Sequence, residues 1–153
     1  FYEAIDWDLL GFFAALFVVI NVMEHALVLQ LIGTGLSTII DAPPDIAAAG
    51  LLAVSALFSS VTDNIPLAAM LAKILQAREM AGTDVPEQLW WSVIFGANLG
   101  GNLTPIGSAS TLVAVTIIHK YKISLSFAGF IRKALPYALV HIALAIIYVL
   151  LFF

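Results

Sequence analysis

Asp63 is the acidic member of a polar run at residues 59–66, Ser-Ser-Val-Thr-Asp-Asn-Ile-Pro, set between apolar stretches at 46–58 and 67–75. Each stretch is too short to cross a bilayer alone. A carboxylate kept at membrane depth can hold a metal cation or a proton, and either one excludes the other. That competition is the chemistry of exchange. Ser59, Ser60, Thr62 and Asn64 add the oxygen atoms that a hard cation takes as ligands. A second interruption, at 100–110, carries Asn102, Thr104 and Ser108, with Asn98 just before it and Thr111 just after, and has no ionisable group. Two broken apolar segments in one short membrane chain are the pattern of a transporter's binding site. The metal expected at Asp63 is the transported cation, and no cofactor is expected.

The composition sets the solvent. The chain is 62% hydrophobic and only 10% charged, with a mean hydropathy of +1.06, against roughly 25% charged residues in a soluble domain. These are the values of an all-α membrane protein, whose partner is the lipid bilayer. Its 153 residues allow about four or five helical segments of roughly 20 residues. Cysteine is absent, which rules out disulfides and thiolate metal sites. A net charge of -4 with six scattered Lys and Arg argues against nucleic acid. The first residue is Phe1 rather than Met, so the chain is expected to be part of a longer polypeptide.

The elements that must position these groups follow in order. Residues 1–8 form an acidic, aromatic lead-in, with Trp7 as an interfacial anchor. Residues 9–32 are expected to be one full span, with Asn21, Glu24 and His25 on one helical face. A carboxylate in such a helix costs roughly 2.5–3.5 kcal/mol at the bilayer centre. Either Glu24 lies near the far interface, partnered by His25 or water, or it serves with His25 as a proton pathway. Residues 33–45 read as a loop, 46–77 as an interrupted unit, 89–119 as a broken helix, 124–134 as an interfacial segment and 135–153 as a second full span. His141 reads as a packing histidine, and the three histidines lack metal-ligand spacing.

The unit at 46–77 is either a straight crossing or a re-entrant hairpin. In the hairpin, Asp41, Asp45, Arg78, Glu79, Asp84 and Glu87 lie on one side of the membrane, and Lys120, Lys122, Arg132 and Lys133 on the other. The positive-inside rule then makes the basic 120–133 loop cytoplasmic and the hairpin outward-opening. A straight crossing separates the charges less cleanly, so the hairpin is preferred. Irregular backbone in hydrocarbon needs partners, since each unpaired group costs several kcal/mol. Asp63 or Asn64 can cap the helix that Pro66 helps to start. A neutral cap would serve equally well, so the charge of Asp63 is expected to be functional and its burial to raise its pKa. In the second break, Gly100, Gly101 and Gly107 free the backbone, and Gly96, Ala97, Gly100 and Gly101 also read as a close-packing seam.

Residues 59–67 resemble the hairpin-tip motif of the ion transporter superfamily, in the branch holding D-type sodium/proton antiporters, arsenite pumps and melanosomal P-protein permeases. Residues 96–107, Gly-Ala-Asn-Leu-Gly-Gly-Asn-Leu-Thr-Pro-Ile-Gly, are similar to the unwound loop of that branch's broken helix. Asp6-Trp7-Asp8 leading into Phe12-Phe13-Ala14-Ala15-Leu16-Phe17 looks like the start of one of its C-terminal-half helices. The resemblance implies an inverted-repeat carrier, of which this chain is the C-terminal half: two full spans, a re-entrant hairpin and a broken helix. It also implies as partner a missing N-terminal half, another membrane subunit or a second copy in a homodimer. Relatives often carry Asn where this chain reads Ser108-Ala109-Ser110-Thr111.

The function expected is cation/proton antiport, with sodium as the cation, in a bacterial inner membrane. One rival is a carrier of arsenite or another anion, using the positive helix ends at Pro66 and at 108–111; Asp63 repels an anion but not neutral arsenite. Another is a half-carrier subunit that transports nothing. A cysteine placed at Gly82 is expected to react with an impermeant thiol reagent from outside intact cells. Labelling from the cytoplasmic side alone defeats the outward-opening hairpin.

Overall fold

The computed structural model describes residues 7–153. The lead-in at 1–6, and the side chains of Trp7, Asp8, Phe12 and Phe13 that carry the interfacial anchor and part of the resemblance, lie outside the described residues. Every regular element described is a helix: α1 (Trp7–His25), α2 (Val28–Ile40), α3 (Pro44–Ser59), α4 (Asn64–Met80), α5 (Glu87–Gly100), α6 (Ala109–Lys120) and α7 (Phe127–Phe152).

The segment expected as one span at 9–32 is broken. α1 stops at His25, Leu27 takes up the left-handed conformation with φ 59°, and α2 departs at an angle of 75°. The segment at 33–45 is helical as far as Ile40, not a loop. Its periodicity explains this, because Leu29, Ile32, Leu36, Ile39 and Ile40 pack on the core while Gln30, Thr34 and Ser37 lie along another face. Gly33 does not break the helix: Ile74 of α4 packs against it, 3.2 Å from where a Cβ would sit. Packing overrides glycine's weak helix propensity here.

α3 and α4 turn back on one another. Pro44 starts α3 at a position where its missing N–H is not needed. At the far end of α4, Arg78 pairs with Asp41, which immediately precedes α3 across a short turn. A continuous rod would hold those two residues about 55 Å apart. The structure therefore has a helical hairpin over this stretch.

α5 runs parallel to α3 at close range. A Cβ on Gly96 would lie 2.6 Å from the Leu52 carbonyl oxygen and 2.6 Å from Ser55 Cβ, and one on Gly100 would collide with the backbone of Ala56. This is the small-residue seam that lets two helix backbones approach. α7 lies antiparallel to α5, with Trp91 stacked on Phe153 at 4.8 Å and Phe95 edge-on to Tyr148 at 5.9 Å. Leu51, Leu52, Leu75, Leu89, Val93 and Val149 form the core between these helices.

The interfacial segment and the final span form one helix, α7, started by the Ser126 side chain, which accepts from Gly129 N at 3.1 Å, and carrying Pro136 inside it. Proline deletes a single N–H, and the Ala, Arg, Lys and Leu residues before it favour helix strongly enough to run through. Among the described residues α7 is the one helix long and apolar enough to cross a membrane by itself; the bent α1–α2 pair passes the same test together. His141 donates from Nδ1 to the Tyr137 carbonyl at 2.8 Å, within its own helix. Gly82 has φ 84°, so a thiol label belongs two residues on, at exposed Asp84.

Gly100→Ala is expected to destabilise the fold by about 1–3 kcal/mol or more, since the methyl meets backbone that cannot yield. Gly35, with nothing within 4 Å of its would-be Cβ, is the control. Gly35→Ala should leave thermal unfolding in detergent unchanged or raise it slightly.

Candidate functional site

The two polar interruptions, some 40 residues apart in sequence, meet. Ser59 donates its hydroxyl proton to the Ala97 carbonyl in α5, and Thr104, in the loop after α5, donates to the Ser60 carbonyl at the hairpin tip. Asn64 Nδ2 donates to Asn98 Oδ1 at 3.4 Å, and Asn98 Nδ2 in turn donates to the Ile94 carbonyl at 2.8 Å. Gly107 fits where a Cβ would stand 3.0 Å from the Ser59 carbonyl oxygen. Ser59, Ser60 and Thr104 are buried. The tip and the break are thus one polar junction at the ends of α3 and α5.

Most of the expected ligand hydroxyls have a first duty to backbone. Ser60 donates to the Leu57 carbonyl at 2.6 Å and Thr62 to the Phe58 carbonyl at 2.8 Å. Backbone N–H groups of the turn already reach both carbonyls, Ser60 N that of Leu57 and Val61 N and Thr62 N that of Phe58, so each hydroxyl adds a second bond at the end of α3. The carbonyls of Leu57, Phe58, Ser60 and Ala97 thus each accept from a side-chain hydroxyl. Thr104 Oγ1 also accepts from Ile106 N at 3.3 Å.

Asp63 is exposed, which corrects the expectation of a buried, desolvated carboxylate. It stands on the outer side of the turn, and Oδ1 caps α4 by accepting from Ile65 N at 3.0 Å. Among the described residues its other oxygen has no hydrogen-bond partner. Asn64 is half-buried beside it and turns inward to Asn98.

α6 starts at the same junction. Ser108 accepts from Thr111 N at 3.2 Å, and Thr111 Oγ1 accepts from Ser108 N at 3.2 Å, a reciprocal capping box. The sequence reading missed this box because the usual pattern has Glu or Gln at the third helical position. Thr111 also lies 3.5 Å from the Gly101 carbonyl, which ties the cap to the loop. Asn102 is half-buried in that loop and makes no side-chain hydrogen bond among the described residues. The N-termini of α4 and α6, each favouring negative charge, therefore sit at one junction beside a carboxylate.

Glu24 and His25 are not brought there. Glu24 pairs with Lys73 of α4 at 3.4 Å, about 15 Å of helix rise from Asp63, and His25 donates to the Asn21 carbonyl at 2.9 Å. The partner of Glu24 among the described residues is Lys73, not His25. The signal for Lys73 was present in the sequence, since a lysine inside an apolar helix needs an anion within reach. Among the described residues no three His, Cys, Asp or Glu side chains gather as a metal site.

The comparisons with known proteins bear on this junction. A family profile described as citrate transporter matches residues 1–96, more than half of the chain. The chain belongs to the citrate transporter family. Relatives of this family member include a 46 kDa membrane protein of Mycobacterium leprae, 31% identical over 148 residues, 95% of this chain and 34% of that protein. An uncharacterized transporter of Mycobacterium tuberculosis is 32% identical over the same share of each. The P protein of Homo sapiens is 34% identical over 154 residues, 95% of this chain and 18% of that protein. The chain spans about a third of the length of the first two and less of the third. No solved structure matches. Family and relatives agree on an integral membrane protein of a transporter class, in keeping with the ion transporter superfamily.

Thr104→Val keeps the shape of residue 104 but strands the Ser60 carbonyl. It is expected to lower stability by about 1–3 kcal/mol, read as an earlier midpoint in thermal unfolding, with Thr104→Ser recovering most of the loss.

Proposed function

We propose that this chain is the C-terminal half of a secondary active carrier that exchanges sodium against protons, with Asp63 as the group for which they compete. The observation that carries the reading is the meeting of the hairpin tip and the helix break at Ser59–Ala97 and Thr104–Ser60. Asp63 keeps one oxygen outside its cap, and on this reading Asn64, Asn98, Asn102 and the hydroxyl oxygens of Ser59, Ser60, Thr62, Thr104, Ser108 and Thr111 would complete a ligand shell with it. Oxygen atoms of these kinds suit a hard cation.

Membrane depth supports it as well. From Lys133 to Phe152, α7 rises about 29 Å, close to the ~30 Å of hydrocarbon in a bilayer. α5 begins level with the aromatic end of α7 and advances about 21 Å before it breaks. On this reading α3 and α4 are a re-entrant hairpin that opens outward, and the 120–133 loop is cytoplasmic in a bacterial inner membrane. A companion half, another membrane subunit or a second copy would cover Asp63. On this reading Glu24 and His25, about 15 Å of helix rise from Asp63, would serve as the outer part of a proton pathway.

One observation favours a second reading. The family is described by citrate, and the paired helix N-termini of α4 and α6 suit a carboxylate or another anion. Asp63 opposes it by repulsion unless a cation is bound with the anion.

The deciding variant is Asp63→Asn, because asparagine caps a helix as well as aspartate does. In proteoliposomes it is expected to abolish sodium-dependent proton movement while thermal stability stays within about 0.5 kcal/mol, whereas Asp63→Ala also loses about 1 kcal/mol of stability. Unchanged exchange in Asp63→Asn removes Asp63 from the mechanism. Citrate uptake without sodium/proton exchange moves the assignment to the anion reading. A chain that folds together with its companion half and still moves neither is the non-transporting subunit.

A further inference from the structure

We propose that the basic turn between α6 and α7 docks on the phosphate headgroups of anionic phospholipids. After Glu87 the sequence contains no Asp or Glu, and four of its six Lys and Arg, namely Lys120, Lys122, Arg132 and Lys133, fall between positions 120 and 133. All four are exposed. None forms an ion pair among the described residues, whereas Lys73 and Arg78 each have a carboxylate. The turn gathers them. His119 donates from Nε2 to the Leu125 carbonyl at 3.4 Å, and Ile123 N donates to the Ile118 carbonyl at 3.2 Å, which holds the last turn of α6 against the residues that lead into α7.

Ordinary folding roles leave most of this charge unexplained. Lys120, in the last turn of α6, complements the dipole of that helix. Lys122 stands where φ is 58°, a conformation that glycine or asparagine takes at less cost. Arg132 and Lys133 lie about 9 Å of helix rise beyond the Ser126 cap, toward the N-terminal end of α7, where a cation gains nothing from the dipole. Four like charges in one region repel one another and call for an anion to offset them.

Depth identifies the anion. α7 covers the thickness of the hydrocarbon between Lys133 and Phe152, so Lys133 marks its edge and the turn falls in the headgroup layer, roughly 5–8 Å deep. Tyr121 is 74% exposed, Ile123 57% and Phe127 52%. Three such side chains in one short turn make a patch, the mark of an interaction surface, and rings beside lysines settle at the lipid interface. On α7, Phe127 and Phe130 share one helical face and Arg132 lies on the opposite side, so the rings can meet acyl chains while the guanidinium reaches phosphate. A soluble acidic partner would account for the cations alone; the level of Lys133 and the exposed Tyr121, Ile123 and Phe127 favour lipid. The inference rests on the bilayer and not on the exchanged ion, and its test reads no transport.

The chain has no cysteine, so Ser124→Cys, in the exposed turn, takes a single fluorophore. The full protein is reconstituted in mixed bilayers of phosphatidylcholine and phosphatidylglycerol, in which one lipid or the other carries a nitroxide high on its acyl chain. The association constant read from quenching is expected to favour phosphatidylglycerol about fivefold, the weight of one cation at an anionic surface. Arg132→Gln with Lys133→Gln, and separately Lys120→Gln with Lys122→Gln, should each bring the ratio below about twofold, while Arg132→Lys with Lys133→Arg keeps it. A fluorophore at Leu151→Cys, 72% exposed at the other end of α7, should show no preference. A ratio near one at Ser124→Cys, or a raised ratio that both pairs of glutamine variants leave unchanged, overturns the proposal. So does an equal preference at Leu151→Cys, which would mean a lipid effect on the whole protein.

Discussion

A helix backbone that is interrupted must find new hydrogen-bond partners, and in this chain two interruptions find them in each other. Ser59 closes on the Ala97 carbonyl and Thr104 on the Ser60 carbonyl, while Ser60 and Thr62 add a second hydrogen bond to carbonyls at the end of α3. The parallel packing of α3 on α5 follows from the same need, since the two tips must arrive together. Gly96 and Gly100 make that approach sterically open.

The same residues explain how a site can exist without weakening the fold. Ser59 and Thr104 hold the junction by donating their hydroxyl protons across it. Asp63 contributes to α4 as a cap through one oxygen and keeps the second.

The breaks were legible in the sequence, and the bends were not. At 60–63 and 101–108 proline, glycine and hydroxyl residues accumulate in an apolar context, and the interruptions of the helices fall there. The turn-back of α3 and α4 followed from charge, with Asp41 and Arg78 placed on one side and then found paired. The elbow at Leu27 carries no glycine or proline, because packing of α2 on the core imposes it. The helical run through Gly33 and Gly35, and the continuity of α7 through Pro136, show the same limit: a single weak residue yields to many strong neighbours. The exposure of Asp63 could not be read from its type, since capping and coordination call for the same carboxylate.

α6 is anchored at one end only. Its capping box is tied to the loop beside the tip, and of its 12 residues Thr111 alone is buried in this chain. At about 18 Å long, it is a lever whose fulcrum is the junction. A tilt of roughly 10° at Ser108 would carry Lys120 through ~3 Å, on the same arithmetic of helix length. Small rearrangements where the two breaks touch are thereby magnified at the basic end of the helix, a full half-membrane away.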